Sequence, residues 1–261
     1  MSLVLRFEDG GEAADLGAFL GRLIHYDRAA AVRLQAGGGA LGVFGRPPSF
    51  EVLAIRTARL GDDALALDVT VSAGELLESI DESAATARVP AAVTGPPWAG
   101  VLPPRGGWEP VPGLPEPERM REVVAAAVAE FRGRDEALPA GARTRGERER
   151  IGHEIWSRTL GTTELPLRAV HAAQALGFLR PVRVLVSGGS PVPEAVALFA
   201  SGPWLRLRTP YGSVVLRRGG VGGWGSCLRS PCGVLGRVVC GALLVLRSSP
   251  RPFNPLLSAG S

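Results

Sequence analysis

The sequence predicts an α+β protein: an N-terminal antiparallel sheet with two helices, then a Pro-rich linker, then a mainly helical domain that ends in a β-hairpin. Residues 2–72 consist largely of short apolar–polar alternations, which are typical of strands with one solvated face. Residues 118–180 instead repeat apolar side chains at helical spacing. The predicted domains are 1–88, the linker 89–117, 118–218, and a tail at 219–261.

The first region begins with a strand and a helix. "SLVLRF" at residues 2–7 alternates as a strand does, and apolar residues between Leu16 and Ile24 share one helical face, which predicts a helix over about 12–25. Four strand-like segments follow as two hairpins, turning at "GGG" and at "GDD". Their predicted ranges are 30–36, 40–45, 50–60 and 64–72, and a short helix at 73–80 completes the region.

The linker is defined by its prolines, nine of which lie between residues 90 and 117. Proline fixes φ and removes a backbone donor, so this stretch is predicted to be extended and to form neither a helix nor an inner strand. Trp98 and Trp108 lie within it. Because a buried indole stabilises its surroundings, we expect both Trp side chains to act as packing anchors that fix the linker to the flanking domains.

The second region contains three predicted helices and a hairpin. A helix is expected over about 118–132, and the spacing Thr144-x-x-Glu147 matches a capping box that opens a helix over about 145–160. A third helix begins after Pro166, a residue suited to a first helical turn. Strand-like runs follow at 182–187, 204–209 and 212–218, with the turn "TPYG" joining the last two.

Motifs of catalysis are matched only in part. "GGGALG" at residues 37–42 fits the dinucleotide-binding string, but the prolines at 47–48 leave no room for the helix that must receive the pyrophosphate. His153 and Glu154 begin a zinc-protease motif, yet Ser157 stands where the second His is required. The chain contains no Lys, which excludes a P-loop. We expect no catalytic residue, cofactor or metal site, and a non-enzymatic role.

Three further features of the sequence bear on where in the cell the protein is located. No secretory signal opens the chain, no apolar stretch reaches the length of a membrane span, and all three Cys lie within residues 227–240. A cytoplasmic protein without a membrane partner is therefore expected. The oligomeric state is left open by the sequence.

The basic residues are distributed unevenly. Residues 165–218 contain seven Arg and one acidic residue, whereas residues 1–164 carry a net charge of the opposite sign. Such a basic segment favours an anionic partner. Neutralisation between the two halves of the chain explains the same distribution equally well.

The order of elements in residues 144–218, two helices separated by a tight turn and then a β-hairpin, is typical of a winged helix-turn-helix. A three-helix bundle with an appended hairpin explains the same order. If the segment binds duplex DNA, the side chains expected to contact it are Arg168, His171 and Gln174 on the recognition helix, and Arg206, Arg208 and Tyr211 on the wing.

Two segments carry a resemblance to known sequences. "AVRLQAGGGALGVFGRPPSFEVLAIRT" and "GPWLRLRTPYGSVVLRR" resemble uncharacterised proteins of high-GC actinobacteria, and the likeness extends over most of residues 1–218. It implies no activity, because none is assigned to such proteins. It also implies that these proteins end soon after the second Arg of "VLRR".

Two classes of function follow from the sequence. The first is a cytoplasmic protein-interaction module in which the two domains and the Trp-bearing linker form the binding surface. The alternative is a DNA-binding regulator that uses residues 144–218.

The tail at 219–261 differs abruptly from the residues before it. It contains four Arg, all three Cys and no acidic residue. GC-rich DNA translated out of frame yields residues of this kind, so the ordered protein is expected to end near Arg218 and the tail to be disordered or the product of a frameshift. A genuine flexible tail is the alternative.

Overall fold

The computed structural model describes residues 3–181 and 195–218. The predicted strand at 182–187 and the tail at 219–261 lie outside these residues. Eleven strands are present in the described part of the chain. In chain order, β1 to β11 are Val4–Arg6, Ala31–Gly37, Ala40–Gly45, Leu53–Arg59, Leu67–Ser72, Ile80–Asp81, Thr86–Arg88, Glu109–Val111, Ala197–Ser201, Trp204–Thr209 and Gly212–Arg217.

Five α-helices accompany these strands in the described residues, together with 3₁₀ turns at Pro97–Gly100 and Ala140–Ala142. In chain order, α1 to α5 are Gly10–Tyr26, Ala73–Glu78, Pro117–Ala137, Arg145–Trp156 and Leu167–Ala175. Of the helices in the described ranges, none combines the length and apolarity that crossing a bilayer requires. The elements confirm the predicted α+β class, from the N-terminal antiparallel sheet to the C-terminal hairpin.

Local sequence explains where the helices begin. The Asp9 side chain accepts a hydrogen bond from the Glu12 N–H and starts α1 two residues earlier than its apolar face predicted. Thr144 accepts from the Glu147 N–H, so α4 begins where the capping spacing placed it. Helix α4 ends at Trp156, before the predicted residue 160, because the chain turns and Leu160 enters the core.

The strands form an eight-stranded antiparallel sheet in the order β5-β2-β3-β4-β11-β10-β9-β8, and β1, β7 and β6 form a separate small sheet. The centre of the main sheet is the pairing of β4 with β11, in which Leu53 lies opposite Val215. The main sheet thus takes four strands from residues 1–88, one from the linker and three from residues 118–218. That these segments are separate domains stays a prediction.

The two faces of the main sheet differ in chemistry. The inner face carries apolar residues such as Leu34, Val43, Leu207 and Val214, which share one core with α1, α3 and α5. The alternate positions form the outer face. Its central members are Arg33, Gln35, Gly42, Phe44, Leu53, Ile55, Thr57, Trp204, Arg206, Arg208, Ser213 and Val215.

Residues 95–108 of the linker cross the outer face, and we call them the strap. Trp98 is 8% exposed and packs with Leu53, and Trp108 packs beside Ile55. Strand β8 follows as an edge strand, which is the position in a sheet that tolerates its Pro110. The strap explains why Leu53 and Ile55 are buried although they point away from the main core.

A buried charged side chain lies on the inner face of β4. Arg56 of β4 is 7% exposed and donates hydrogen bonds to Glu12 (3.1 Å) and Asp15 (3.2 Å) of α1, and to the backbone carbonyl of Tyr211 (3.0 Å). Arg180 completes the cluster, with a 2.6 Å hydrogen bond to Asp15 and its guanidinium 3.7 Å from the Tyr211 ring centroid. The cluster joins α1, β4, the β10–β11 turn and the end of the helical region.

Replacing Arg56 tests the contribution of this cluster. Arg56→Ala leaves two carboxylates without their shared cation in a protected site, and we expect the free energy of unfolding in urea to fall by about 3 kcal/mol. The control is Arg119→Ala, because Arg119 and its ion-pair partner Glu122 on α3 are 69% and 64% exposed and lie outside the cluster. A loss of no more than about 1 kcal/mol is expected there. Equal small losses in both variants would contradict this role of Arg56.

Candidate functional site

Helix α5 does not present all of its predicted DNA-contacting side chains to solvent. The His171 ring stacks on Trp156 with a centroid separation of 4.5 Å and meets Phe50 edge-on at 5.1 Å. Arg168 lies 3.6 Å from a carboxylate oxygen of Glu51. Gln174 is exposed. Two of the three side chains therefore join α5 to other parts of the fold.

The three hairpin residues predicted to form a wing lie in separate surroundings. Arg206 donates to the Ser213 hydroxyl (3.1 Å), with its guanidinium 5.8 Å from the Trp108 ring centroid. The guanidinium of Arg208 lies 4.6 Å from the Phe199 ring centroid. Tyr211 lies in the turn beside Arg180, where its hydroxyl donates to the Pro181 carbonyl at 3.3 Å.

The predicted DNA contacts are thus divided between the two sides of the main sheet. Helix α5 packs on the inner face, where it shares a core with Leu205 and Leu207. Arg206 and Arg208 alternate with these leucines along β10 and therefore belong to the outer face. The structure does not bring Arg168, Arg206 and Arg208 together as one basic surface.

The strap and the outer face instead enclose a groove with a volume of about 360 Å³. Its floor is formed by Gln35, Gly42 and Thr57, which lie side by side on β2, β3 and β4. An added Cβ at Gly42 would lie 3.1 Å from the Phe44 ring, so glycine keeps the middle of the floor open. The strap supplies the opposite wall through residues 100 and 102–105 and through Trp108.

Arg33 holds the strap against the sheet. Its Nε and one terminal nitrogen form a bidentate pair with Asp68 at 2.7 and 2.8 Å, and its other terminal nitrogen donates to the backbone carbonyl of Ala99. The hydrogen bond from Arg33 is the main cause of a lowered pKa of the Asp68 carboxyl, and a hydrogen bond from Gln35 adds to it. The Arg33 guanidinium is therefore fully engaged and forms a rigid side of the groove.

A row of arginine–aromatic pairs extends from the groove along β10 and its neighbours. Besides Arg206 over Trp108 and Arg208 over Phe199, the guanidinium of Arg217 lies 5.6 Å from the Trp204 ring centroid. The Trp108 indole N–H donates to the Pro104 carbonyl at 3.0 Å and so fixes the end of the strap. Arginine stacked on a ring keeps in-plane N–H groups that suit carboxylates or phosphates.

The charge of the groove is one-sided. Arg33, Arg105 and Arg206 line it, and none of the described lining residues is acidic. Six neighbouring strands of the main sheet, from β5 through β2, β3, β4 and β11 to β10, carry one acidic residue at the described positions of their outer face. This residue is Asp68. The groove therefore combines positive charge with the Trp108 and Phe44 rings, a chemistry that suits an anionic ligand.

Sequence reasoning missed Arg33, Gln35 and Arg105 as members of a site. The alternation in "AVRLQA" carried part of the signal, because it places Arg33 and Gln35 opposite the apolar Val32 and Leu34. Trp98 and Trp108 predicted that the linker packs on the flanking regions, but nothing in the sequence indicated which face it covers. In the described ranges, no three His, Cys, Asp or Glu side chains lie where they could share a metal ion.

Comparisons with known proteins identify two regions of similarity. Residues 1–100 match a family model described as a domain of unknown function (DUF8010), and residues 103–221 match a second domain of unknown function (DUF8185). No curated protein and no solved structure matches the chain. The boundary between the two matches falls inside the strap. The matches agree with the resemblance to uncharacterised proteins, and the actinobacterial origin stays a prediction.

The environment of His171 predicts a pH dependence of stability. Burial lowers the pKa of His171 from 6.5 to about 4. Below pH 6.5 the unfolded chain binds a proton that the folded protein does not, so this group destabilises the fold as pH falls toward 4. At pH 4.5 the loss relative to pH 7 is about 2 to 3 kcal/mol.

The measurement is urea unfolding of the wild type and His171→Phe at pH 7 and pH 4.5. The variant keeps a ring between Trp156 and Phe50 but cannot bind the proton, so its stability should fall by about 2 to 3 kcal/mol less than that of the wild type. Parallel losses in the two proteins would show that His171 is not held neutral by its surroundings.

Proposed function

We propose that the protein is a non-enzymatic protein-interaction module whose binding surface is the groove between the strap and the outer face of the sheet. The observation that carries this proposal is the combination of arginine and aromatic side chains in an open groove without an acidic lining residue. Arg and Trp are enriched at protein interfaces, where they supply most of the binding energy. The cytoplasmic location expected from the sequence is part of the proposal.

The rigidity of the groove supports this role. Trp98 anchors the strap on Leu53, the Trp108 indole is hydrogen-bonded to Pro104, and Arg33 holds the Ala99 carbonyl. Proline at positions 103 and 104 restricts the backbone of the wall further. A surface fixed before binding loses little conformational entropy when a partner docks, which favours affinity.

The alternative from the sequence is duplex DNA binding by residues 144–218. The arginines of the outer face give it some support, because phosphate contacts need only accessible positive charge. Base reading by α5 is less well supported, since His171 packs between two rings and Arg168 faces Glu51. The protein-interaction role requires neither side chain to be released from these contacts.

The proposal is tested by selecting peptides from a random twelve-residue library against the full-length protein. The groove is then filled by Gly100→Trp, a position where an added side chain meets open space. Gly133→Trp on α3 is the matched control, because Gly133 is exposed and equally open. We expect selected peptides to bind the wild type and Gly133→Trp alike and Gly100→Trp at least tenfold more weakly, as measured by fluorescence anisotropy.

Two results would contradict the proposal. One is a selection that yields no peptide above background, or peptides whose affinity is unchanged in Gly100→Trp. The other is binding of a 20-base-pair duplex DNA, with a steep salt dependence, by a protein that selects no peptide. The second result would replace the interaction module by the DNA-binding alternative.

A further inference from the structure

The three arginines of the groove differ in the contacts that hold their guanidinium groups. All three nitrogens of the Arg33 guanidinium are engaged by Asp68 and Ala99, so its charge is offset and its position is fixed. Arg206 is anchored through its Nε to Ser213 and lies beside Trp108. Arg105 is exposed on the strap and has no hydrogen-bonded or ion-paired partner among the described residues. A ligand therefore meets Arg105 on one wall and Arg206 on the other.

Basic side chains outnumber acidic ones among the described residues of this site. Three arginines line the groove and one carboxylate, Asp68, adjoins it. Arg105 acts electrostatically on Asp68 without bonding to it, which places its charge near the same rim. Negative charges such as the carboxylates of a peptide are attracted by this arrangement.

The shape of the floor suits an extended chain. Gln35, Gly42 and Thr57 lie directly opposite one another on three neighbouring strands. Three strands span about 10 Å between the outer two, which is the length of about three residues of extended peptide. The aromatic rings along the outer face already have guanidinium groups over them. The N–H groups of these guanidinium groups suit carboxylates, whereas the covered ring faces are less accessible to nucleobases.

We infer that the groove receives an acidic, extended segment of a partner protein, and that Arg105 is the residue that sets this preference. The inference rests on the proposed function and adds the chemistry of the partner to it. Carboxylates of the segment pair with Arg105 and Arg206 from the two walls, while its backbone lies over the Gly42 position.

The test uses the full-length protein and three labelled eight-residue peptides. One alternates Glu with Thr, so that its Glu side chains lie on one side of an extended chain, the second alternates Gln with Thr, and the third alternates Lys with Thr. Binding is measured by fluorescence anisotropy at 50 mM salt. We expect the Glu peptide to bind at least tenfold more tightly than the Gln peptide and the Lys peptide to show no binding.

Arg105→Glu identifies the responsible residue. It should weaken binding of the Glu peptide at least tenfold, whereas Arg119→Glu makes the same change of charge at an exposed position of α3 and should change the affinity less than twofold. Equal binding of the Glu and Gln peptides, or equal effects of the two variants, would overturn the inference. A labelled oligothymidylate that binds more tightly than the Glu peptide, with the same dependence on Arg105, would overturn it in favour of nucleic acid.

The peptides selected from the library show whether a negative result concerns only the acidic preference or the proposed interaction role itself. If selected peptides lack acidic residues and still lose affinity in Gly100→Trp, the groove binds proteins and only the acidic preference is wrong. If neither the selected peptides nor the Glu peptide binds, the interaction role itself is wrong.

Discussion

The fold depends on a charged side chain at the centre of its core. Arg56 lies on the inner face of β4 and ties two carboxylates of α1 to the backbone of the β10–β11 turn. A buried guanidinium is stable only while its partners are in place, so correct docking of α1 and of the β10–β11 turn is linked to one site. The same strand pairs with β11, and the two contacts together join residues from the N-terminal and C-terminal regions.

The position of Arg56 on the inner face determines which other residues of β4 point inward and which point outward. With small residues beside Arg56 on the inner face, namely Ala54 and Ala58, the larger Leu53 and Ile55 point outward. They need an apolar cover, and the strap supplies it through Trp98 and Trp108. The strap covers only part of the outer face. The groove is the space that remains beside it, and Arg33 on its side is held by the same contact with Ala99 that fixes the strap.

The sequence predicts the local elements well, because the forces that specify them act between near neighbours. The Thr144–Glu147 cap, the glycine turn after β2 and the alternation of "WLRLRT" were readable in this way. The pairing of β4 with β11 joins residues about 160 positions apart, and no local pattern encodes it. The alternation in "VLAIRTA" even suggests the opposite orientation, since it offers Leu53 and Ile55 to the core and Arg56 to solvent. The sequence did not reveal the groove for the same reason, because the packing of a linker on a polar sheet face depends on contacts between distant parts of the chain.

The location of the binding surface is tested most directly by NMR mapping on the uniformly ¹⁵N-labelled full-length protein during titration with an acidic peptide. Binding in the groove should shift the indole N–H signal of Trp108 and the backbone amide signals of Gly42 and Gly100, which surround the floor and the strap wall. The amide of Gln174 on α5 should remain unchanged, because α5 packs on the other face of the sheet. Shifts confined to α5, with the three groove signals unmoved, would contradict the assignment of the outer face as the binding surface.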